Sequence, residues 1–252
     1  MKLNLESKVA IVTGGSEGLG KAIALSLALE GVKVAISGRR AAVLKQAAKE
    51  IESISGLRPF TFQGDMTQEE SVKHFISEVV AEFGTVHILV NNVGQATRGL
   101  LTSLNKNKWQ QTFEKNLMSA VYATTNVVPY MQEQKWGRII NISALSGKEP
   151  SDQLVASNVV KTGLIGLSKT LSRELAASNI LVNSVSPGLI ESPQNDNYFC
   201  DVERQEALDR IPLGRFGSPE EFADTVTFLC SERAAYITGI NLLVDGGASH
   251  GL

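Results

Sequence analysis

At 252 residues, with 43% hydrophobic and 20% charged side chains, the chain has the length and composition of one large α/β domain. Its formal net charge of −2 gives no electrostatic reason to expect nucleic acid or an anionic membrane as partner. No apolar run reaches signal-peptide or membrane-span length, and two cysteines, Cys200 and Cys230, are too few for a disulfide framework. Free thiols in a reducing, cytoplasmic compartment are expected.

Short β-branched runs alternate with helical patterns almost from end to end. Strands are predicted at 9–12, 32–36, 59–62, 88–90, 138–142, 180–185 and 241–245. Between them, helical periodicity runs through 21–28, 41–54, 68–83, 108–132, 154–177 and 219–232. Strands that read as continuous apolar runs and are joined by helices imply a parallel sheet covered on both faces. Seven of them predict a single-domain Rossmann fold, a doubly wound α/β sheet spanning 1–252. Residues 189–210 break the pattern with Pro193, Asn195, Asp196 and Asn197, and read as an insertion of the kind that forms a substrate lid. His74 and His87 stand apart from any ligand cluster, so no metal site is expected.

Thr13-Gly14-Gly15-Ser16-Glu17-Gly18-Leu19-Gly20 follows the first strand and opens the first helix. Glycines at such a turn let the backbone approach a pyrophosphate, which rests against the N–H groups of the helix N-terminus. Gly14, Ser16, Gly18, Leu19 and Gly20 are thereby candidate dinucleotide ligands. A second small-residue turn, Asn91-Asn92-Val93-Gly94, follows the fourth strand and would lie alongside the same cofactor, which adds Asn92 and Gly94. The second strand runs out into Ser37-Gly38-Arg39-Arg40. An acidic side chain there would bond the ribose hydroxyls of NAD and repel a 2′-phosphate. Ser37, Arg39 and Arg40 favour NADP(H) instead, with two guanidiniums able to fork onto phosphate oxygens. The alternative is a pair of solvated arginines at a helix start.

In these motifs the chain resembles the short-chain dehydrogenase/reductase family. Thr13, Gly14, Gly18 and Gly20 meet the family pattern Thr-Gly-x-x-x-Gly-x-Gly, and residues 91–94 meet Asn-Asn-Ala-Gly with Val93 in place of alanine. Glu17 departs from it, because many NADP-using relatives carry a basic residue there. The resemblance implies that Asp65 and Met66 contact the adenine ring, that Asn116 is the active-site asparagine and that Lys161 holds the nicotinamide ribose. It implies that Pro187, Gly188 and Ile190 grip the nicotinamide carboxamide, and it extends to the C-terminal signature from Gly239 to Gly247. A small-molecule substrate and a homo-oligomer, tetramer or dimer, built through the helices at 108–132 and 154–177 follow from the same resemblance.

One departure matters more. The family acts through a serine, a tyrosine thirteen residues later and a lysine four beyond that. Counting from Lys161 puts Ser157 at the tyrosine position and Ala144 at the serine position, with Gly147 fixing the register. Ser143 is one residue out of step, and none of Tyr122, Tyr130, Tyr198 or Tyr236 is close in sequence. A phenol titrates near ~10, whereas an aliphatic hydroxyl is far less acidic and several ångströms shorter. The catalytic candidates are therefore Asn116 and Lys161, with Ser157 and Ser143 as the remaining hydroxyls. Ketoreductase-like subgroups of the family lack the tyrosine and carry Ser-Asn-x-x-Arg/Lys, which Ser157-Asn158-Val159-Val160-Lys161 resembles.

Three readings remain open at this level. The first is an NADP(H)-dependent oxidoreductase with a non-standard acid, passing hydride to a carbonyl, enone or imine, with the proton coming from a water held by Asn116 and Lys161 or from the lid. The second is an ordinary ketoreductase or alcohol dehydrogenase in which Asp152, Lys148 or Tyr198 replaces the tyrosine. The third is a catalytically silent dinucleotide-binding homologue serving as sensor or partner subunit. Gln95 and Arg98 are candidate pocket-lining residues, Arg98 for an anionic substrate.

Overall fold

A computed structural model describes residues 2–191 and 201–251. All seven expected strands form: β1 (Val9–Val12), β2 (Lys33–Gly38), β3 (Phe60–Gln63), β4 (Ile88–Asn91), β5 (Gly137–Ile142), β6 (Ile180–Pro187) and β7 (Asn241–Val244). They make one sheet in the order β3-β2-β1-β4-β5-β6-β7, and every neighbouring pair is parallel. The chain winds outward from β1 to β3, returns to the centre and winds the other way from β4. Its topological switch point lies between β1 and β4, where ligands of such sheets bind at the carboxyl ends of the strands.

Burial follows from the strand sequences. All four residues of β1 are buried, and they alternate between two cores, as the two-residue period of a strand dictates. Ala10 and Val12 pack with α1 (Gly18–Leu29), α2 (Ala41–Ser55) and α8 (Pro219–Cys230). Val9 and Ile11 pack with α3 (Glu69–Phe83), α5 (Ser119–Glu133) and the C-terminal end of α6 (Val155–Glu174). Ser218 caps α8 in a reciprocal box with Glu221, as Ser-Pro-Glu-Glu allows.

One difference from the sequence reading bears on function. The helix expected at 108–132 is α4 (Lys106–Phe113) and α5 joined by one wide turn of π-helix over Glu114–Met118. Hydrophobic periodicity does not register a single widened turn. Its local cause is visible: the side chain of Asn116 takes the Thr112 carbonyl at 3.0 Å and Ser119 takes the Lys115 carbonyl at 2.8 Å. Within 189–210, α7 (Asp201–Asp209) is described, while residues 192–200, with Tyr198 and Cys200, lie outside the described residues. No helix among the described residues is long and apolar enough to cross a membrane. Among them, no group of three or more His, Cys, Asp and Glu side chains is placed to hold a metal ion.

Candidate active site

The glycine-rich turn is braced from beneath. Ser37 is fully buried and its Oγ accepts the Gly14 N–H at 3.2 Å, so it supports the turn and does not face a ribose. Thr13 Oγ1 accepts the Asn92 N–H at 3.0 Å, and Asn92 Nδ2 donates to the carbonyls of Thr13 and Gly14, both at 3.1 Å. These bonds lock the turns after β1 and β4 together across the switch point. At Gly20 a Cβ would come closer than 3.0 Å to the Gly14 carbonyl oxygen and to Asn92 Nδ2, so only glycine fits beneath this turn. Gly18, at φ +55°, opens α1, and the N-cap residue Glu17 makes no side-chain capping bond. The first-turn N–H groups of α1 are left without a side-chain cap, which suits a phosphate.

At the end of β2, Arg39 and Arg40 are both exposed, and Arg40 forms an ion pair with Glu17. Ser16 lies against Gly38, where a Cβ would come within 2.9 Å of its Oγ. Across the cleft mouth, burial first and then the charge of Arg39 hold Lys115 below its usual pKa, so a cationic zone extends beyond the two arginines. Lys115 Nζ donates to Gln95 Oε1 at 2.7 Å. Asp65 accepts from the Thr67 N–H and hydroxyl at 3.0 and 2.9 Å, which fixes the turn after β3, and Met66 is buried beneath it. Nothing in the sequence beyond its place beside Asn116 singles out Lys115.

Lys161 comes from α6 and is buried, with 8% exposure. Its Nζ donates to the Ile142 carbonyl at the end of β5, at 3.0 Å. Burial pushes its pKa down to about 8. Asn116 and Lys161 meet at Gly94: a Cβ there would lie 2.9 Å from Asn116 Oδ1 and 3.0 Å from Lys161 Nζ. Gly147 packs on the Lys161 main chain, with a virtual Cβ 2.9 Å from its carbonyl carbon, and its own carbonyl accepts from Thr162 Oγ1 at 2.9 Å. That contact packs the turn after β5 onto α6.

The hydroxyls are otherwise engaged. Ser143 Oγ donates to the Lys161 carbonyl at 3.1 Å and so turns toward α6. Ser157 Oγ accepts the Thr97 N–H at 2.7 Å, from the loop after β4. Asp152 is exposed, and Lys148 donates to the Gly251 carbonyl at 3.0 Å. At the end of β6, Pro187 and Gly188 follow the sheet edge, Gly188 packed so closely on Asp245 that a Cβ would lie 2.7 Å from it. Ile190 is buried and bridges to Gly217. The residues expected at the two ends of a dinucleotide thus lie along the carboxyl ends of the strands β1 to β6. Ser37, Ser143 and Ser157 are each engaged by a neighbouring backbone group there.

Comparison with known proteins places the chain in a family. A family model described as Enoyl-(Acyl carrier protein) reductase matches residues 14–249. A 3-oxoacyl-[acyl-carrier-protein] reductase FabG of Aquifex aeolicus is 39% identical over 247 residues, covering 98% of this chain and 99% of its own length. The FabG of Thermotoga maritima is 37% identical, covering 97% and 99%. Among solved structures, L-sorbose reductase from Gluconobacter frateurii, complexed with NADPH and L-sorbose, superposes with a TM-score of 0.96 at 34% identity over the whole of both chains. YwfH, an NADPH-dependent reductase involved in bacilysin biosynthesis, gives 0.93 at 28% identity, covering 97% of this chain and 99% of its own. With a family model matched over nearly its full length, relatives 39% and 37% identical and a superposition over the whole chain, the chain belongs to the short-chain dehydrogenase/reductase family of NAD(P)-dependent oxidoreductases.

Proposed function

We propose that the chain is an NADP(H)-dependent reductase of a carbonyl, enone or imine that works without a tyrosine acid. The observation that carries this reading is the meeting of Lys161 and Asn116 at Gly94, beside the glycine cradle. NADPH, when bound, supplies the hydride. Gly14, Gly18, Leu19 and Gly20 would hold its pyrophosphate, Asp65 and Met66 its adenine, Asn92, Gly94 and Lys161 its nicotinamide ribose, and Pro187, Gly188 and Ile190 the carboxamide. Ser16 and Arg39 would take the 2′-phosphate, joined by Arg40 once it parts from Glu17, with Lys115 adding to the positive potential. The NADPH complex of the sorbose reductase supports the phosphate assignment.

The proton is the harder half. An ammonium has three N–H bonds, and the Ile142 carbonyl takes one of those on Lys161. A second can hold the ribose and the third a water. Both N–H groups of the Asn116 amide are engaged by the carbonyls of Gln95 and Thr112, but Oδ1 accepts only the Gln95 N–H and keeps one lone pair for the same water. That water gives its proton to the oxygen, carbon or nitrogen left anionic by hydride addition, and Lys161 replaces it. A lysine at about 8 is well placed to do so near neutral pH.

We also read the chain as a homo-oligomer, since Phe113 on α4 and Val159 on α6 leave 36% and 48% of their surfaces exposed. Light scattering that returns 27 kDa, the mass of one chain, would overturn this.

The deciding experiment titrates the protein with NADPH and, in parallel, NADH, then screens L-sorbose, acetoacetyl-coenzyme A, 2-cyclohexenone and a cyclic imine for NADPH oxidation. NADPH binding at least about tenfold tighter than NADH, a difference of ~1.4 kcal/mol, is expected. Absence of binding by either sinks the reading. Tight NADPH binding with every acceptor inert would leave a dinucleotide-binding homologue without turnover.

A further inference from the structure

Three polar side chains at the mouth of the cleft each hold one loop residue by both of its main-chain polar groups. Asn116 accepts the Gln95 N–H at 3.0 Å and donates to the Gln95 carbonyl at 3.2 Å. Ser157 accepts the Thr97 N–H at 2.7 Å, with a longer return contact of 3.5 Å to the Thr97 carbonyl. Asn158 accepts the Ser151 N–H at 3.3 Å and donates to the Ser151 carbonyl at 2.9 Å. The two loops are also joined to each other, because the Gly99 N–H donates to the Gln153 carbonyl at 2.7 Å. Thr97 Oγ1 meets Thr112 Oγ1 at 2.8 Å, which ties the first loop to α4 as well. Gln153 adopts a φ of +56°, a conformation that costs free energy in a residue bearing a side chain and persists where its surroundings hold it.

From this arrangement we propose that Ser157 and Asn158 are positioning residues, adjacent on the first turn of α6, that lock the loops after β4 and β5 into one wall on the substrate side of the cleft. The same task excludes a tyrosine at 157. Ser157 is buried with its hydroxyl against Thr97, and a longer side chain in that rotamer meets the Thr97 main chain. The turn of helix that the family uses for proton donation is here used for loop fixation, and the dipeptide Ser157-Asn158 is the mark of that exchange. The wall carries Gln95 and Arg98 at its exposed rim, so its placement sets the shape offered to a substrate. The identification of the cleft as a redox site rests on the proposed function; the clamp itself does not.

The test is hydrogen exchange by mass spectrometry on peptides covering 95–100 and 149–153, in the full chain and in Ser157→Ala, Ser157→Thr, Ser157→Tyr and Asn158→Ala, with NADPH affinity measured alongside. Ser157→Ala should speed exchange in 95–100 about tenfold, the loss expected for one hydrogen bond. Ser157→Thr, which keeps the hydroxyl, should restore protection, and Asn158→Ala should act on 149–153. Ser157→Tyr should expose 95–100 at least as much as Ser157→Ala and gain no reduction of acetoacetyl-coenzyme A. Unchanged exchange in Ser157→Ala overturns the proposal. So does a Ser157→Tyr protein that keeps wild-type protection and reduces the 3-keto group of acetoacetyl-coenzyme A. Should the tyrosine variant fail to fold, the alanine and threonine pair decides. Loss of NADPH binding by the unaltered chain would sink the redox reading and leave the exchange result standing.

Discussion

The two ends of the sheet both bury a cation, and they treat it in opposite ways. At the carboxyl end, Lys161 gives one N–H to a carbonyl and keeps two for the cleft. At the amino end, Arg138 is 1% exposed and closed in on every side. Its guanidinium lies 4.2 Å from the centre of the Trp136 ring, with the Lys8 ammonium 4.2 Å from the same centre. Arg138 donates to the Gly137 carbonyl at 2.9 Å, and Glu232 stands 3.9 Å away. Burial holds both cations below their ordinary pKa values. A low pKa alone therefore does not mark a functional group; spare bonding capacity facing an open cleft does.

The largest effect that would sharpen this contrast comes from Lys161→Met. Turnover with NADPH should fall by about 10²–10⁴, the usual contribution of a placed proton-handling group. Stability should move the other way. The folded pKa of about 8 lies below the ordinary 10.5, so the buried ammonium costs stability below pH 8, and that cost fades as pH rises toward 10.5. At pH 7 the neutral methionine removes it, and thermal melting should rise by a few degrees, for a relief on the order of 1–3 kcal/mol. In the unaltered enzyme, kcat/KM should fall above about pH 8 as the ammonium is lost. A melting point unchanged or lowered by the methionine would equate the two ends of the sheet.

Gly20→Ala comes next. The added methyl meets the Gly14 main chain and Asn92 Nδ2, a side-chain end held in place by its bonds to the Thr13 and Gly14 carbonyls. Overpacking of this kind costs about 1–3 kcal/mol, here toward the upper end, and NADPH affinity should drop at least about tenfold because the turns after β1 and β4 move together. Denaturant unfolding and a cofactor titration read the two effects separately.

How much of this was legible beforehand divides along the same line. The seven strands and the glycine turn were readable because apolar runs and Thr-Gly-x-x-x-Gly-x-Gly are local patterns. Lys161 was expected near Asn116 from its segment, and the two side chains do meet at Gly94. The role of Ser157 was not legible, because its partner Thr97 is 60 residues away and carries no signature. Ser37 was misjudged for a related reason: a hydroxyl at a strand end can turn to the ligand or to the nearest backbone group, and only the packed neighbours decide. Ser143, one residue out of register, turns to the Lys161 carbonyl as that offset implies. The π turn at Asn116 escaped because one extra residue per turn leaves the apolar stripe almost unchanged.

Smaller effects are expected at the amino end, where they should leave the cleft untouched. Arg138→Ala removes a large buried side chain but also a desolvated charge, so a net loss of about 2 kcal/mol is expected, with Arg138→Met closer to neutral. Both should bind NADPH as the unaltered chain does.

The smallest effect belongs to His87 on the same edge, whose Nδ1 accepts the Val9 N–H at 3.1 Å and whose ring meets Trp136 at 5.8 Å. Burial, and then the charge of Lys8, push its pKa down to about 4 from 6.5. The folded state therefore favours the neutral ring, and between pH 6.5 and 4 the unfolded chain binds more protons than the folded one. The stabilisation is complete above pH 6.5 and is lost as pH falls toward 4. His87→Gln, which keeps a side-chain acceptor for the Val9 N–H without titrating, should flatten that part of the stability profile measured by denaturant unfolding. An equally steep profile in the variant would show that acid acts elsewhere, and that the amino end of the sheet is insulated from protons as well as from ligands.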